Sequence, residues 1–140
     1  MVKGLLFIAV CGLLFVTGCV SRSETLYVQL GGQAKIDEVV KNFVREIEFN
    51  NEILPFFADT NIDRFTEKFA QQLCVFADGP CDYTGDSMEQ VHGGMHITEA
   101  QFNLTVDLFI AAMDKANVPH RLQNQLISRM TFTRKQMLYK

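Results

Sequence analysis

The sequence lacks any excess of positive charge, because 13 Lys and Arg residues stand against 16 Asp and Glu in 140 residues, a net charge of −3. This balance gives no electrostatic reason to expect a nucleic-acid partner. No apolar run reaches the roughly 20 residues that a membrane-spanning helix needs. No internal repeat and no convincing strand-type alternation occur in it. With 48% hydrophobic residues, the composition is typical of one globular domain and excludes a disordered chain.

Histidine and cysteine are both scarce. Histidine occurs only at His92, His96 and His120. Beyond the N-terminal segment, the only cysteines are Cys74 and Cys81, whose spacing is too wide for a C-x-x-C redox pair. A disulfide that closes the Gly79-Pro80 turn and a pair of free thiols are both open alternatives.

The N-terminus has the pattern of an export signal. Lys3 precedes an apolar run over residues 4–16, which is the length of a signal-peptide core. The run ends in Val16-Thr17-Gly18-Cys19, which resembles the lipobox of bacterial lipoproteins. That resemblance implies a signal peptide over residues 1–18, a lipidated Cys19 and a short tether over residues 19–24, while an ordinary signal with an unmodified cysteine is the alternative. Several acyl chains on Cys19 would anchor the domain stably at a membrane.

Helical spacing of apolar residues continues along the rest of the chain. We predict an all-α fold with main helices over 34–49, 61–76, 98–116 and 119–137. Capping boxes begin at Thr60, Ser87 and Thr98, and that of Ser87 opens a short helix that ends at Gly93-Gly94. The second main helix starts near Thr60, and a loop covers residues 77–85.

Several motifs, in order, give the chain a family resemblance. They are Leu26-Tyr27-x-x-Leu30-Gly31-Gly32, Phe56-Phe57-Ala58-Asp59-Thr60-Asn61, Gly79-Pro80 with Tyr83-Thr84-Gly85, and Val91-His92-Gly93-Gly94-x-x-Ile97-Thr98 with Phe102. Through them residues 25–137 resemble the truncated haemoglobins of the first group. The resemblance implies a globin domain over residues 25–140, with helices B, E, G and H forming a two-over-two sandwich around haem b. Because no C-x-x-C-H motif occurs, any haem would be bound non-covalently.

The resemblance also implies roles for individual residues. His92 matches the proximal ligand of the haem iron, and His96 and His120 are expected at the surface. The residues that match haem contacts are Phe43, Phe57, Phe65, Lys68, Phe69 and Ile97, with Lys68 placed to reach a propionate. The family's Tyr in helix B and Gln in helix E, which hydrogen-bond dioxygen, correspond to Val44 and Phe69 here, and Phe65 occupies the distal gate. Gln72 shares the helix face of Phe65 and Phe69 and is the one polar candidate left.

These features together predict a lipid-anchored haem protein of the bacterial cell envelope that binds a diatomic gas (O2, NO or CO) or passes electrons at its iron, with an unidentified reductase as a candidate partner. One alternative is a haem-dependent redox enzyme that turns over nitric oxide or peroxide. The other is a haem-free envelope scaffold. An apolar distal pocket holds no acid or base to cleave an O–O bond, which disfavours peroxidase chemistry.

Overall fold

The computed structural model describes residues 24–140, all of whose regular elements are helical. The predicted signal peptide and Cys19 lie outside the described residues. The helices are α1 (Leu26–Leu30), α2 (Gly32–Glu48), α3 (Ile62–Phe76), α4 (Met88–His92), α5 (Glu99–Lys115), α6 (His120–Met130) and α7 (Arg134–Met137). Short 3-10 turns cover Leu54–Phe57 and Thr131–Thr133. Within residues 24–140, no helix is both long enough and apolar enough to cross a bilayer.

The four long helices pack as two pairs around one core. Helix α2 makes its largest contacts with α5 and α3, and α6 contacts α1, α3 and α5. The apolar stripe of α2 supplies five buried side chains to this core: Ile36, Val39, Val40, Phe43 and Ile47. The prediction of an all-α globin sandwich built from helices B, E, G and H, here α2, α3, α5 and α6, is therefore confirmed.

Two details of the predicted helices are wrong, namely the continuity of the last helix and the cap of α3. The predicted last helix over 119–137 is broken by the 3-10 turn at Thr131–Thr133, where Thr133 is buried and its hydroxyl donates to the Met130 carbonyl. Hydroxyl bonds to the backbone of this kind compete with helical hydrogen bonding. Helix α3 is capped by the side chain of Asn61, which accepts from the Arg64 amide at 2.9 Å, so that Thr60 is not the cap.

The turn after α3 depends on a disulfide and a glycine. Cys74 and Cys81 form the disulfide, with their Cα atoms 6.0 Å apart. A Cβ on Gly79 would lie 2.5 Å from the Cys74 sulfur and 2.6 Å from the Tyr27 ring, so only glycine fits there without a shift of its neighbours. Cys74 is fully buried, and the Tyr27 amide of α1 donates to the Ala77 carbonyl, just beyond the end of α3, at 2.7 Å.

Candidate functional site

A largely apolar cavity of about 700 Å³ lies between α2, α3, α4 and α5. This volume is within the usual range for small-molecule and cofactor sites. Each of the predicted cofactor contacts lines it: Phe43, Phe57, Phe65, Lys68, Phe69, His92 and Ile97. Gln72 also lines the cavity, as its helical register with Phe65 predicts. The structure therefore brings together residues from four separate segments of the sequence.

His92 sits at the end of α4, whose start is fixed by a complete capping box between Ser87 and Gln90. The Nδ1 of His92 lies 2.8 Å from the Met88 carbonyl oxygen. A carbonyl can only accept, so Nδ1 carries the proton and Nε2 keeps its lone pair. A histidine that donates from one ring nitrogen to a carbonyl while the other nitrogen is free is the usual arrangement of a metal ligand.

Burial keeps the His92 ring neutral. Loss of solvent around the ring lowers the pKa of its imidazole, and the hydrogen bond to Met88 offsets only part of that effect. In the unfolded chain the ring takes up a proton near its ordinary pKa of about 6.5. The folded chain disfavours this protonation at the same pH. The contribution of His92 to stability therefore decreases as the pH falls below about 6.5, and the lone pair stays available down to lower pH than in a free histidine.

The wall formed by α2 and α3 is a cluster of phenylalanines. The rings of Phe65 and Phe69 are stacked with centroids 5.6 Å apart, and Phe57 meets Phe65 edge-on at 5.0 Å. Phe43 packs on Phe69 at 5.3 Å and on Phe109 of α5 at 5.5 Å. Aromatic pairs at these separations hold one another in place. The rings of the wall therefore support one another, and their side chains provide no hydrogen-bond donor.

Val44 was predicted to belong to this wall, but the structure does not place it among the cavity-lining residues. One step along a helix turns the side chain by about 100°. Phe43 therefore points its ring at Phe65 and Phe69, while Val44 is partly buried outside the cavity lining.

The two polar side chains nearest the phenylalanine wall are both engaged. Gln72 donates from Nε2 to the Met88 sulfur at 3.3 Å. The ammonium of Lys68 donates to Glu67 at 2.7 Å and to the Thr84 hydroxyl at 2.9 Å, which holds it at the edge of the cavity. With these partners, neither the Gln72 amide nor the Lys68 ammonium donates into the space between the phenylalanine wall and His92.

The rim of the cavity is polar and includes residues that the sequence did not indicate. Arg64 and Asp86 form an ion pair at 3.1 Å, and the Tyr83 hydroxyl donates to the Asp86 carbonyl at 2.7 Å. Burial of Tyr83 and the nearby Asp86 carboxylate raise the pKa of the Tyr83 phenol. Arg134 of α7 also lines the cavity. The Arg64–Asp86 pair carries no local sequence signal, because its two residues are 22 positions apart.

The other two histidines lie away from the cavity lining, as predicted. His96 is exposed in the loop after α4, with a φ of 49°, and its amide donates to the Lys140 carbonyl. The side chain of His120 is 82% exposed and lies 3.9 Å from Asp114. Within residues 24–140 no group of three or more His, Cys, Asp or Glu side chains could hold a metal ion. His92 is therefore the histidine that can serve this cavity.

The residues of the cavity fit a haem group. The walls are apolar and aromatic, as a porphyrin plane requires, and one neutral imidazole lies on the α4 side. The cationic side chains of Arg64, Lys68 and Arg134 line the same cavity, where they can pair with carboxylates at its edge.

The Cys74–Cys81 disulfide holds the connection between α3 and α4. Cys81→Ser should lower the free energy of unfolding by about 2–3 kcal/mol, because closure of a short loop no longer restricts the unfolded chain. Chemical denaturation of the oxidised protein and of the variant, each with and without a reductant, measures this. The reductant should destabilise the parent chain and leave the variant unchanged, and an equal effect on both would contradict the prediction.

Comparison with known proteins gives a consistent result. The profile of the bacterial-like globin family matches residues 25–139. A group 1 truncated haemoglobin of Mycolicibacterium paratuberculosis is 30% identical over 107 residues, which cover 76% of this chain and 79% of the relative. A group 1 truncated haemoglobin of Tetrahymena pyriformis is 26% identical over 120 residues, covering 86% of this chain and 99% of the relative.

Solved structures share the same fold. The crystal structure of the Tetrahymena pyriformis truncated haemoglobin in its Fe(III) form superposes with a TM-score of 0.79 at 26% identity, covering 84% of this chain and 100% of that one. The two-over-two haemoglobin of a Synechococcus species was solved in the cyanomet state with covalently attached haem. It gives a TM-score of 0.76 at 20% identity, covering 82% of this chain and 98% of that one.

Proposed function

The chain belongs to the bacterial-like globin family, and from this premise we propose that it is a lipid-anchored haemoglobin of the bacterial cell envelope. In this proposal the chain binds haem b non-covalently, with His92 as the proximal ligand of the iron. The part of the cavity that faces the phenylalanine wall, away from His92, takes a diatomic gas. When bound, the haem iron supplies one coordination position for the gas, and the residues of this chain set which gas is retained.

The observation that carries the haem site is the state of His92. It lines the cavity, burial keeps it neutral, and the Met88 carbonyl fixes the proton on Nδ1. Nε2 is then ready to ligate iron without a change of tautomer or loss of a proton. The Met88 carbonyl also limits rotation of the ring, as partners of metal-ligating histidines generally do.

The phenylalanine wall favours gases that need no hydrogen bond. A bound gas that carries partial negative charge, as dioxygen would, is retained by a hydrogen-bond donor, since a hydrogen bond to a charged group contributes about 1.5–3 kcal/mol. Phe43, Phe65 and Phe69 cannot donate, and Gln72 and Lys68 are engaged elsewhere. We therefore propose carbon monoxide and nitric oxide as better-retained ligands than dioxygen.

The same wall disfavours the peroxide-turnover part of the enzymatic alternative, because cleavage of an O–O bond needs a positioned acid or base. The phenylalanines offer neither. The haem-free scaffold is disfavoured on different grounds. It would retain a large apolar cavity without contents, and internal cavities of that kind lower the stability of a fold.

The envelope location rests on the N-terminal sequence and on the disulfide. Residues 16–19 resemble a lipobox, and residues 1–18 have the length and pattern of a signal peptide. A structural disulfide such as Cys74–Cys81 forms and persists in oxidising compartments outside the cytosol. Both features support export of the domain and attachment of lipid at Cys19.

Cys19→Ser tests the anchor. In a bacterium that processes lipoproteins, the parent chain should partition into the detergent phase, because acyl chains on Cys19 give stable anchoring. The variant should remain in the aqueous phase or accumulate as the unprocessed precursor. Mass spectrometry of the mature N-terminus identifies the modification. A parent chain whose mature N-terminus carries no acyl chains on Cys19 would contradict the proposed anchor.

A further inference from the structure

An aromatic pair of one exposed ring, Phe132, and one partly buried ring, Phe76, lies on the outer side of the cavity wall. The rings of Phe76 and Phe132 meet edge-on with centroids 5.6 Å apart, and Phe132 is 59% exposed. Val75, next to Phe76, is also exposed. Thr131 and Thr133, which flank Phe132 in the chain, line the cavity. Phe132 itself does not. We name Val75, Phe76 and Phe132 the outer aromatic surface.

The N-terminal tether joins the domain beside this surface. Helix α1 begins after Thr25, and the Tyr27 amide donates to the Ala77 carbonyl, which directly follows Phe76. Arg129 donates to the Phe76 carbonyl at 2.8 Å and pairs with Asp78. A shallow groove lined in part by Glu24, Thr25 and Arg129 connects these segments.

The tether is too short to let the domain move far from its anchor. Six residue steps separate Cys19 from Thr25. A trans peptide chain spans at most about 3.6 Å per residue, so the lipidated cysteine lies within about 20 Å of the end of the domain that carries the outer aromatic surface.

We propose that the outer aromatic surface contacts the bilayer that holds the acyl chains of Cys19. This proposal depends on the lipid anchor proposed above. Aromatic and aliphatic side chains bury favourably at the boundary between headgroups and acyl chains. After loss of Lys3 with the signal, 12 Lys and Arg stand against 16 Asp and Glu, so attraction to anionic lipid does not drive the contact. The contact is therefore apolar.

This orientation has a consequence for the gas site. It places the outside of the cavity wall at Thr131 and Thr133 next to lipid. Diatomic gases are apolar and dissolve better in hydrocarbon than in water. The bilayer is then the reservoir from which gas reaches the cavity.

Photo-crosslinking from Phe132 and Phe49 tests the orientation. Phe49 is the matched control, because it is 83% exposed and follows α2, whose 17 residues extend about 25 Å from the α1 end of the domain. Benzoylphenylalanine replaces either residue in the lipidated full chain, which is bound to vesicles of phosphatidylethanolamine and phosphatidylglycerol. After irradiation, mass spectrometry measures adducts with lipid. The yield from position 132 should exceed that from position 49 at least fivefold.

Parallel samples separate the anchor from the orientation. In these, a maleimide phospholipid is attached to Cys19 of chains that carry the same photo-reactive residues, so anchoring does not depend on bacterial processing. Equal lipid yields at positions 132 and 49 in these samples would overturn the proposed orientation, as would adducts at 132 with a second copy of the chain instead of lipid. Failure of the bacterially made chain to float with vesicles, with normal adducts in the maleimide samples, would overturn only the natural anchor.

Discussion

His92→Gly should abolish the spectrum of a five-coordinate, histidine-ligated ferrous haem and raise the haem dissociation rate at least tenfold. The reason is that the other two histidines, His96 and His120, are exposed and lie outside the cavity lining. Removal of His92 therefore leaves no imidazole that can take its place. Visible absorption and resonance Raman spectra of the reconstituted ferrous variant measure the ligand, and transfer of haem to apomyoglobin measures the rate.

Free imidazole provides a rescue for this variant, because the glycine leaves room for it beside Met88. Added imidazole should restore the five-coordinate spectrum in the His92→Gly protein and should not be needed by a His96→Ala control. A wild-type spectrum in His92→Gly without imidazole, or loss of that spectrum in His96→Ala, would move the iron ligand away from His92.

Phe65→Gln should slow dioxygen dissociation about ten- to a hundredfold. The substitution places an amide donor on a wall of phenylalanines, and a hydrogen bond to a charged partner contributes about 1.5–3 kcal/mol, at roughly 1.4 kcal/mol per tenfold. Phe65→Leu is the matched control, since it removes the same ring from its contacts with Phe57 and Phe69 without adding a donor. Stopped-flow displacement of dioxygen and of carbon monoxide measures both rates.

The carbon monoxide rate distinguishes hydrogen bonding from a change in packing. It should differ little between Phe65→Gln and Phe65→Leu, because carbon monoxide depends far less on a donor. Slow dioxygen release in the unmodified chain would contradict an apolar wall and would identify Gln72 as the donor, provided that Gln72→Leu then speeds it. Equal slowing of both gases by Phe65→Gln would show that the substitution acts through access to the cavity.

The helices could be predicted because their apolar stripes follow local rules. The buried residues of α2 repeat at intervals of three and four, and the Ser87 and Thr98 capping boxes mark the starts of α4 and α5. The break in the last helix depends on a contact instead, because the Thr133 hydroxyl is buried and donates to the Met130 carbonyl.

The cavity was predictable only in part. The stripe of Phe102, Val106 and Phe109 on α5 was visible in the sequence, but spacing alone cannot tell a cavity wall from a packed core, since both require apolar side chains on one helix face. The polar rim gave no local signal, because Arg64 and Asp86 meet across 22 residues. Val44 was misplaced because it is one residue away from Phe43, and one step along a helix turns the side chain by about 100°.

Titration of the mature chain with haemin, followed by reduction, tests the central claim most directly. The account predicts saturation at one haem per chain and a ferrous Raman spectrum with a single iron–histidine stretching band, which shifts with the isotope when histidine is labelled with nitrogen-15. A chain that keeps its helical content but gives no Soret band beyond that of free haemin would contradict the account and favour a haem-free scaffold.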